Sequence, residues 1–137
     1  MRVTGGYLRG KKILDPIDKS TRPLKDIVKE SIFNIIEHSK KEFVELSGAK
    51  VLDIFAGTGS FGIECLSRGA SKVLFLENYS KSIEILKKNI DQLDLNKKTQ
   101  ISLVQENKEK TTSLNKQQSK KINSAFRPEV VNAKVYK

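Results

Sequence analysis

The chain has one cysteine, one histidine, no tryptophan and three prolines in 137 residues, and these scarcities exclude several chemistries. Cys65 alone cannot close an internal disulfide, and a single thiol with a single imidazole cannot build a zinc site. Cys65 reads as a small buried helix residue and His38 as a surface residue at a helix end, so neither metal binding nor thiol catalysis is expected. Apolar runs extend over only a few residues, far short of the ~20 needed to cross a bilayer. Arg9, Lys11 and Lys12 stand where a secretory signal would need its apolar stretch. The expected location is the cytoplasm, with no membrane partner. Acids are also in short supply. Sixteen Asp and Glu face 26 Lys and Arg, a formal charge of +10, which favours an anionic partner. At this length one core, not two, is the expectation.

The chain divides into three regions. Residues 1–40 form an amino-terminal region with two β-prone runs, Arg2-Val3-Thr4 and Lys11-Lys12-Ile13-Leu14, separated by glycines at 5, 6 and 10 that suit a hairpin turn. Between residues 1 and 29 lie eight basic side chains and three acids, so the predicted hairpin is basic. After Thr21-Arg22-Pro23, where proline suits a first helical turn, the spacing of Val28, Ile32, Ile35 and Ile36 predicts a helix running to about His38. Residues 41–104 carry the alternation of a parallel α/β sheet. The strand Lys50–Phe55 leads to Ala56-Gly57-Thr58-Gly59 and a helix from Ser60 to Arg68, with Gly69 as its C-cap. A second strand, Lys72–Leu76, ends at Glu77. Ser80 is placed to N-cap a helix with apolar positions Ile83, Leu86, Ile90 and Leu93, and Ile101–Val104 reads as a third strand. Residues 105–137 are a basic polar tail. Disorder is expected through about Asn123, with short strands at Glu129-Val130-Val131 and Ala133–Tyr136 that the pattern does not place in the sheet.

Gly57-Thr58-Gly59-Ser60-Phe61-Gly62 fits G-x-G-x-x-G between a strand and a helix, the arrangement that cradles a dinucleotide pyrophosphate. Asp53, four residues before Gly57, argues against a phosphate, because its carboxylate would repel one. S-adenosylmethionine carries no phosphate and presents an ammonium that a carboxylate attracts, so the charges favour it. Glu77, ending the second strand, is placed to accept hydrogen bonds from ribose hydroxyls in either ligand.

The run Val51-Leu52-Asp53-Ile54-Phe55-Ala56-Gly57-Thr58-Gly59-Ser60-Phe61-Gly62-Ile63-Glu64, continuing through Leu66-Ser67-Arg68-Gly69-Ala70, resembles the first motif of class I methyltransferases, especially the bacterial 16S rRNA guanine-N2 methyltransferase family. Upstream, Arg2–Ile13, Thr21-Arg22-Pro23, Val28-Lys29-Glu30 and Phe33-Asn34 resemble that family's amino-terminal region. The resemblance covers about residues 1–104. It implies a Rossmann-like class I methyltransferase sheet with S-adenosyl-L-methionine as cofactor. Asp53, Gly57 and Gly59, within the loop Phe55-Ala56-Gly57-Thr58-Gly59, would then contact the methionine part, Glu77 the ribose, and Asn78 would lie beside the adenine. The implied partner is 16S rRNA or an assembling small ribosomal subunit, with Arg9, Lys11, Lys12 and Arg22 as phosphate contacts.

The chain departs from that family at the catalytic step. Relatives place Asn or Asp followed by Pro-Pro-Tyr or Pro-Pro-Phe after the fourth strand, to accept hydrogen bonds from the guanine amine and stack on the base. Here the prolines are Pro16, Pro23 and Pro128, none adjacent, so no catalytic residue is assigned. The fourth strand that normally pairs the first has no obvious counterpart, which predicts an incomplete sheet and an unpaired edge inviting self-association. Three functions remain open: guanine-N2 methylation of 16S rRNA, a truncated non-catalytic remnant that binds cofactor or RNA without turnover, and a nicotinamide-dependent Rossmann protein.

Overall fold

The computed structural model describes residues 1–19, 22–38, 45–103 and, for the backbone alone, 130–133. Helix α1 (Asp26–His38) precedes strand β1 (Lys50–Ile54), helix α2 (Ser60–Ser67), strand β2 (Lys72–Glu77) and helix α3 (Ser80–Gln92). A 3-10 turn (Asn96–Lys98) leads into strand β3 (Thr99–Leu103), and strand β4 (Val130–Ala133) completes the described elements. The sheet order is β3-β2-β1-β4, with every pairing parallel. The centres of β1 and β2 are buried, as expected where crossover helices cover a parallel sheet.

The sequence pattern locates β1, α2, β2 and α3 to within a residue or two. It errs at β1's outer edge. Val51, Leu52, Asp53 and Ile54 stand in register with Val130, Val131, Asn132 and Ala133, so β4 occupies the edge expected to lie open, and self-association through it loses its ground. The disorder expected over 105–123 lies outside the described residues.

The amino-terminal hairpin is shorter than its two β-prone runs suggest. It consists of one antiparallel bridge, Arg2 with Lys12, extended by Val3 N–H to Lys11 O and Ile13 N–H to Met1 O, both 2.9 Å. Its tip rests on the end of α2, where Tyr7 N–H reaches Ser67 O at 2.9 Å and Leu8 N–H reaches Ser67 Oγ at 2.9 Å. Gly6 sits at φ 73 with its Cα against the Ser67 carbonyl, a place no side chain fits. Val3, Leu8, Ile13 and Phe33 join Val51, Ile63, Phe75 and Leu86 in one buried cluster, so the hairpin, α1 and the sheet share a core.

Helix α1 starts at Asp26, beyond Pro23, and its inward face keeps half of the predicted stripe, Ile32 and Ile36 packing against the core. Val28 and Ile35 are exposed, whereas Lys29 and Phe33 are buried. The center of that face is a lysine, which a reading by hydrophobicity cannot recognise. Helix α2 closes with Gly69 N–H to Leu66 O at 3.1 Å and Ala70 N–H to Cys65 O at 3.0 Å, the paired bonds of a Schellman end. Ser80 is the first residue of α3, not its cap. The cap is Tyr79, without a side-chain bond.

Cys65 lies wholly inside α2's buried face. Burial pushes its thiol well above the ordinary value, and the nearby Asp53 and Glu64 push the same way. A disulfide reagent is therefore expected to label the chain only after urea unfolding. Rapid labelling in native buffer would show this helix open to solvent.

Candidate functional site

The glycine loop follows β1 at the carboxyl end of the sheet, where ligands gather in open α/β folds. The turn begins at Phe55, whose φ of 59 is unusual for a bulky residue and costs on the order of 1–3 kcal/mol. Phe55 is 46% exposed, while Ala56 and Thr58 are buried. Ala56 N–H bonds Leu76 O at 3.0 Å, which sews the start of the loop to β2. Asn89 of α3 donates through Nδ2 to Thr58 O at 2.9 Å and accepts Leu14 N–H on Oδ1 at 2.8 Å. It thereby joins the loop to the amino-terminal region.

Gly59 is the N-cap of α2, at φ 83 and without a side-chain cap bond. A helix start leaves amide donors unpaired, and here two carboxylates from the sheet take donors of the loop and helix. Asp53 Oδ2 accepts Gly62 N–H at 3.0 Å, the donor a local N-cap side chain would ordinarily satisfy. Glu77 Oε2 accepts Gly57 N–H at 2.6 Å, and its Oε1 accepts Asn78 N–H at 2.9 Å and Tyr79 N–H at 3.0 Å. Asp53 is 0% exposed and turned toward α2, so its carboxylate lies beneath the loop instead of at its surface. Asn78 is exposed beside Glu77.

Gly62 packs directly on the sheet. A Cβ there would overlap the ring of Phe75 and stand 2.8 Å from Val73 Cγ1. Phe75 is fully buried and has nowhere to retreat. Gly62→Ala is expected to cost about 1–3 kcal/mol in a urea melt, and a variant as stable as the parent would contradict this packing.

A second polar cluster, missed by sequence reasoning, braces the loop from the amino-terminal side. Lys29 and Glu64 are each 0% exposed. Lys29 Nζ donates to Arg2 O at 2.6 Å and Ser60 Oγ at 3.1 Å, and stands 3.3 Å from Glu64 Oε2. Glu64 accepts Thr4 N–H at 2.9 Å, Thr4 Oγ1–H at 2.8 Å, Gly5 N–H at 2.8 Å and Arg68 Nε–H at 2.9 Å. Arg68 also pairs with Glu37 at 2.8 Å and lies over the Phe33 ring, 4.7 Å from its centroid. The available signal was Glu64 and Arg68 at i,i+4 in an otherwise apolar helix.

The expected phosphate contacts are not brought together. Arg9, Lys11 and Lys12 are exposed on the hairpin, with Arg9 in its tip, where its N–H bonds Gly6 O at 3.1 Å. Arg22 shares a cleft of about 450 Å³ with Asp15, Asp18 and Lys19. Asp18 accepts the Tyr79 hydroxyl at 2.6 Å and Lys81 at 3.2 Å, so Arg22 lies toward the glycine-loop end. Among the described residues no group of three or more His, Cys, Asp or Glu is arranged to hold a metal. No helix among them is long and apolar enough to cross a membrane.

A family model described as Conserved hypothetical protein 95 matches residues 1–126. "Putative rRNA methyltransferase YlbH" of Bacillus subtilis (strain 168) is 41% identical over 101 residues, covering 74% of this chain and 52% of its own. "Ribosomal RNA small subunit methyltransferase D" of Haemophilus influenzae is 39% identical over 93 residues, covering 68% of this chain and 45% of its own. Among solved structures, "Putative methyltransferase yhhF from Escherichia coli" matches at 31% identity with a TM-score of 0.60, over 74% of this chain and 50% of that one. The chain thus spans about half the length of the curated relatives it matches.

Proposed function

The chain belongs to the Conserved hypothetical protein 95 family, and on that footing we propose that its glycine loop binds S-adenosyl-L-methionine for methylation of guanine N2 in 16S rRNA. One observation carries the cofactor reading. The Gly57 and Gly62 amides, which a phosphate-cradling loop would aim at its ligand, donate to Glu77 and Asp53 instead. A pyrophosphate would find fewer donors and two carboxylates close by. A ligand with a cationic amino-acid end and a neutral ribose finds a suitable field.

The residues fit such a ligand in distinct roles. Glu77 ends β2 with both oxygens ordered by backbone amides, placing a carboxylate to accept ribose hydroxyls. Asn78 beside it borders the adenine. Phe55, Ala56, Gly57, Thr58 and Gly59 supply a compact wall for the methionine part. Asp53 acts from beneath, capping α2 and placing negative charge under the ammonium. When bound, the cofactor supplies an electrophilic methyl on sulfonium. This chain's part is to orient it and keep the loop rigid, with Arg9, Lys11, Lys12 and Arg22 as the RNA contacts.

A second reading, binding without turnover, is favoured by the residues around β4. Its last residue, Ala133, stands beside Ile54 at the head of the loop, and Lys134-Val135-Tyr136 follow in sequence. No Asn or Asp followed by Pro-Pro-aromatic is present to draw the guanine amine's lone pair out of the ring. Incubation with tritiated S-adenosylmethionine and undermethylated small subunits decides between them. Label in the rRNA establishes catalysis, and cofactor binding without label establishes the second reading.

A further inference from the structure

The end of the sheet opposite the glycine loop carries a basic surface that the cofactor site does not use. Lys72 opens β2 in register with Lys50 at the start of β1. Lys97 and Lys98 close the 3-10 turn before β3 and line a shallow cleft with Lys72, Thr99 and Gln100. The hairpin tip adjoins it, because Lys98 Nζ stands 5.6 Å from the centroid of the Tyr7 ring. Tyr7 is 62% exposed, and Arg9 is exposed two residues further on.

Three of the cations elsewhere in the fold are paired, Lys29 and Arg68 with Glu64 and Lys81 with Asp18. None of the ion pairs among the described residues involves Arg9, Lys72, Lys97 or Lys98. Gathering four exposed like charges on one surface opposes folding, so the cluster is better explained by an external polyanion than by stability. An exposed aromatic among exposed cations suits RNA in particular, since bases stack on rings while phosphates meet Lys and Arg.

We propose that Tyr7, Arg9, Lys72, Lys97 and Lys98 form a distal RNA anchor at the amino ends of the strands. It grips the RNA backbone away from the glycine loop, where the methyl donor is held. The proposal rests on the RNA-substrate reading above and adds a second point of attachment. A five-residue strand separates the two ends by about 17 Å, roughly five stacked nucleotides at 3.4 Å each. A short oligonucleotide therefore reaches one end only, and a stem-loop reaches both.

Fluorescence anisotropy of the full chain with a labelled small-subunit rRNA stem-loop and a labelled tetranucleotide tests this. Lys72→Glu/Lys97→Glu/Lys98→Glu is expected to weaken stem-loop binding at least about thirtyfold and to flatten its log-log salt dependence by about 2–3. It also removes most of the stem-loop's advantage over the tetranucleotide. The charge-matched Lys25→Glu/Lys87→Glu/Lys88→Glu, on other surfaces, is expected to do much less. Gln at Lys72, Lys97 and Lys98 shifts the slope in the same direction without charge reversal. Equal losses in the two Glu triples would overturn the proposal, as would unchanged RNA binding with loss of binding to phosphatidylserine vesicles. S-adenosylmethionine affinity, read calorimetrically on the same samples, is expected to be unchanged in the Lys72/Lys97/Lys98 variant. Cofactor binding failing in the parent chain while the RNA results hold would refute the loop reading and leave the anchor standing.

Discussion

Replacing Glu64 with alanine is expected to lower the unfolding free energy by about 3–5 kcal/mol, the usual result of removing one partner from a buried ion pair. The magnitude follows from what stays behind. Lys29 is sealed from water with its ammonium 3.3 Å from the lost carboxylate. The Thr4 and Gly5 amides and the Arg68 guanidinium lose their acceptor together. Glu64→Gln keeps the shape and an acceptor but not the charge, and falls between parent and Ala. The double variant Lys29→Met/Glu64→Leu removes both charges and is expected to recover much of the loss. Urea melts of the four proteins measure this, and a Glu64→Ala loss under about 1 kcal/mol would mean that the pair is hydrated in solution.

The same carboxylate gives a pH signature. Burial raises its pKa, but the bonds from Thr4 and Arg68 and the charge of Lys29 outweigh burial and leave it below the ordinary value. A group with a depressed folded pKa contributes its full stabilisation above the unfolded value, about 4.3 for glutamate. That contribution disappears as pH falls through the lower folded value. The parent chain is expected to lose stability on acidification below about pH 4, and Glu64→Gln to show a shallower decline over that interval.

Glu77→Ala is the second large effect, expected in binding. Glu77 organises the Gly57, Asn78 and Tyr79 amides and offers the carboxylate assigned to the ribose. Hydrogen bonds to a charged group contribute about 1.5–3 kcal/mol, so S-adenosylmethionine affinity should fall roughly ten- to 150-fold. The released loop adds to that loss. Asp53→Ala is expected to abolish measurable binding by uncapping α2 and removing the charge beneath the ammonium. Intact binding in that variant would count against the pocket.

The strand and helix periods from Lys50 to Gln92 were legible because most apolar positions there, Phe55 excepted, face the core of a parallel sheet, and Gly57, Gly59 and Glu77 fall at predictable places along it. Three features were not legible. Lys29 is buried by a carboxylate on a different helix, and no local pattern encodes that pairing. Asp53 lies at the right strand end, but its direction depends on where α2 packs, so the sequence put it at the ligand and the fold puts it under the loop. Val130–Ala133 is too short and too distant in sequence for its pattern to reveal that β1 is its neighbour.

The most direct measurement is calorimetric titration of the chain with S-adenosylmethionine, S-adenosylhomocysteine and NAD in turn. Saturable heat is expected with both sulfur ligands and none with NAD. Tight NAD binding, with neither methionine-derived ligand bound, would contradict the assignment of Glu77, Asp53 and the glycine loop.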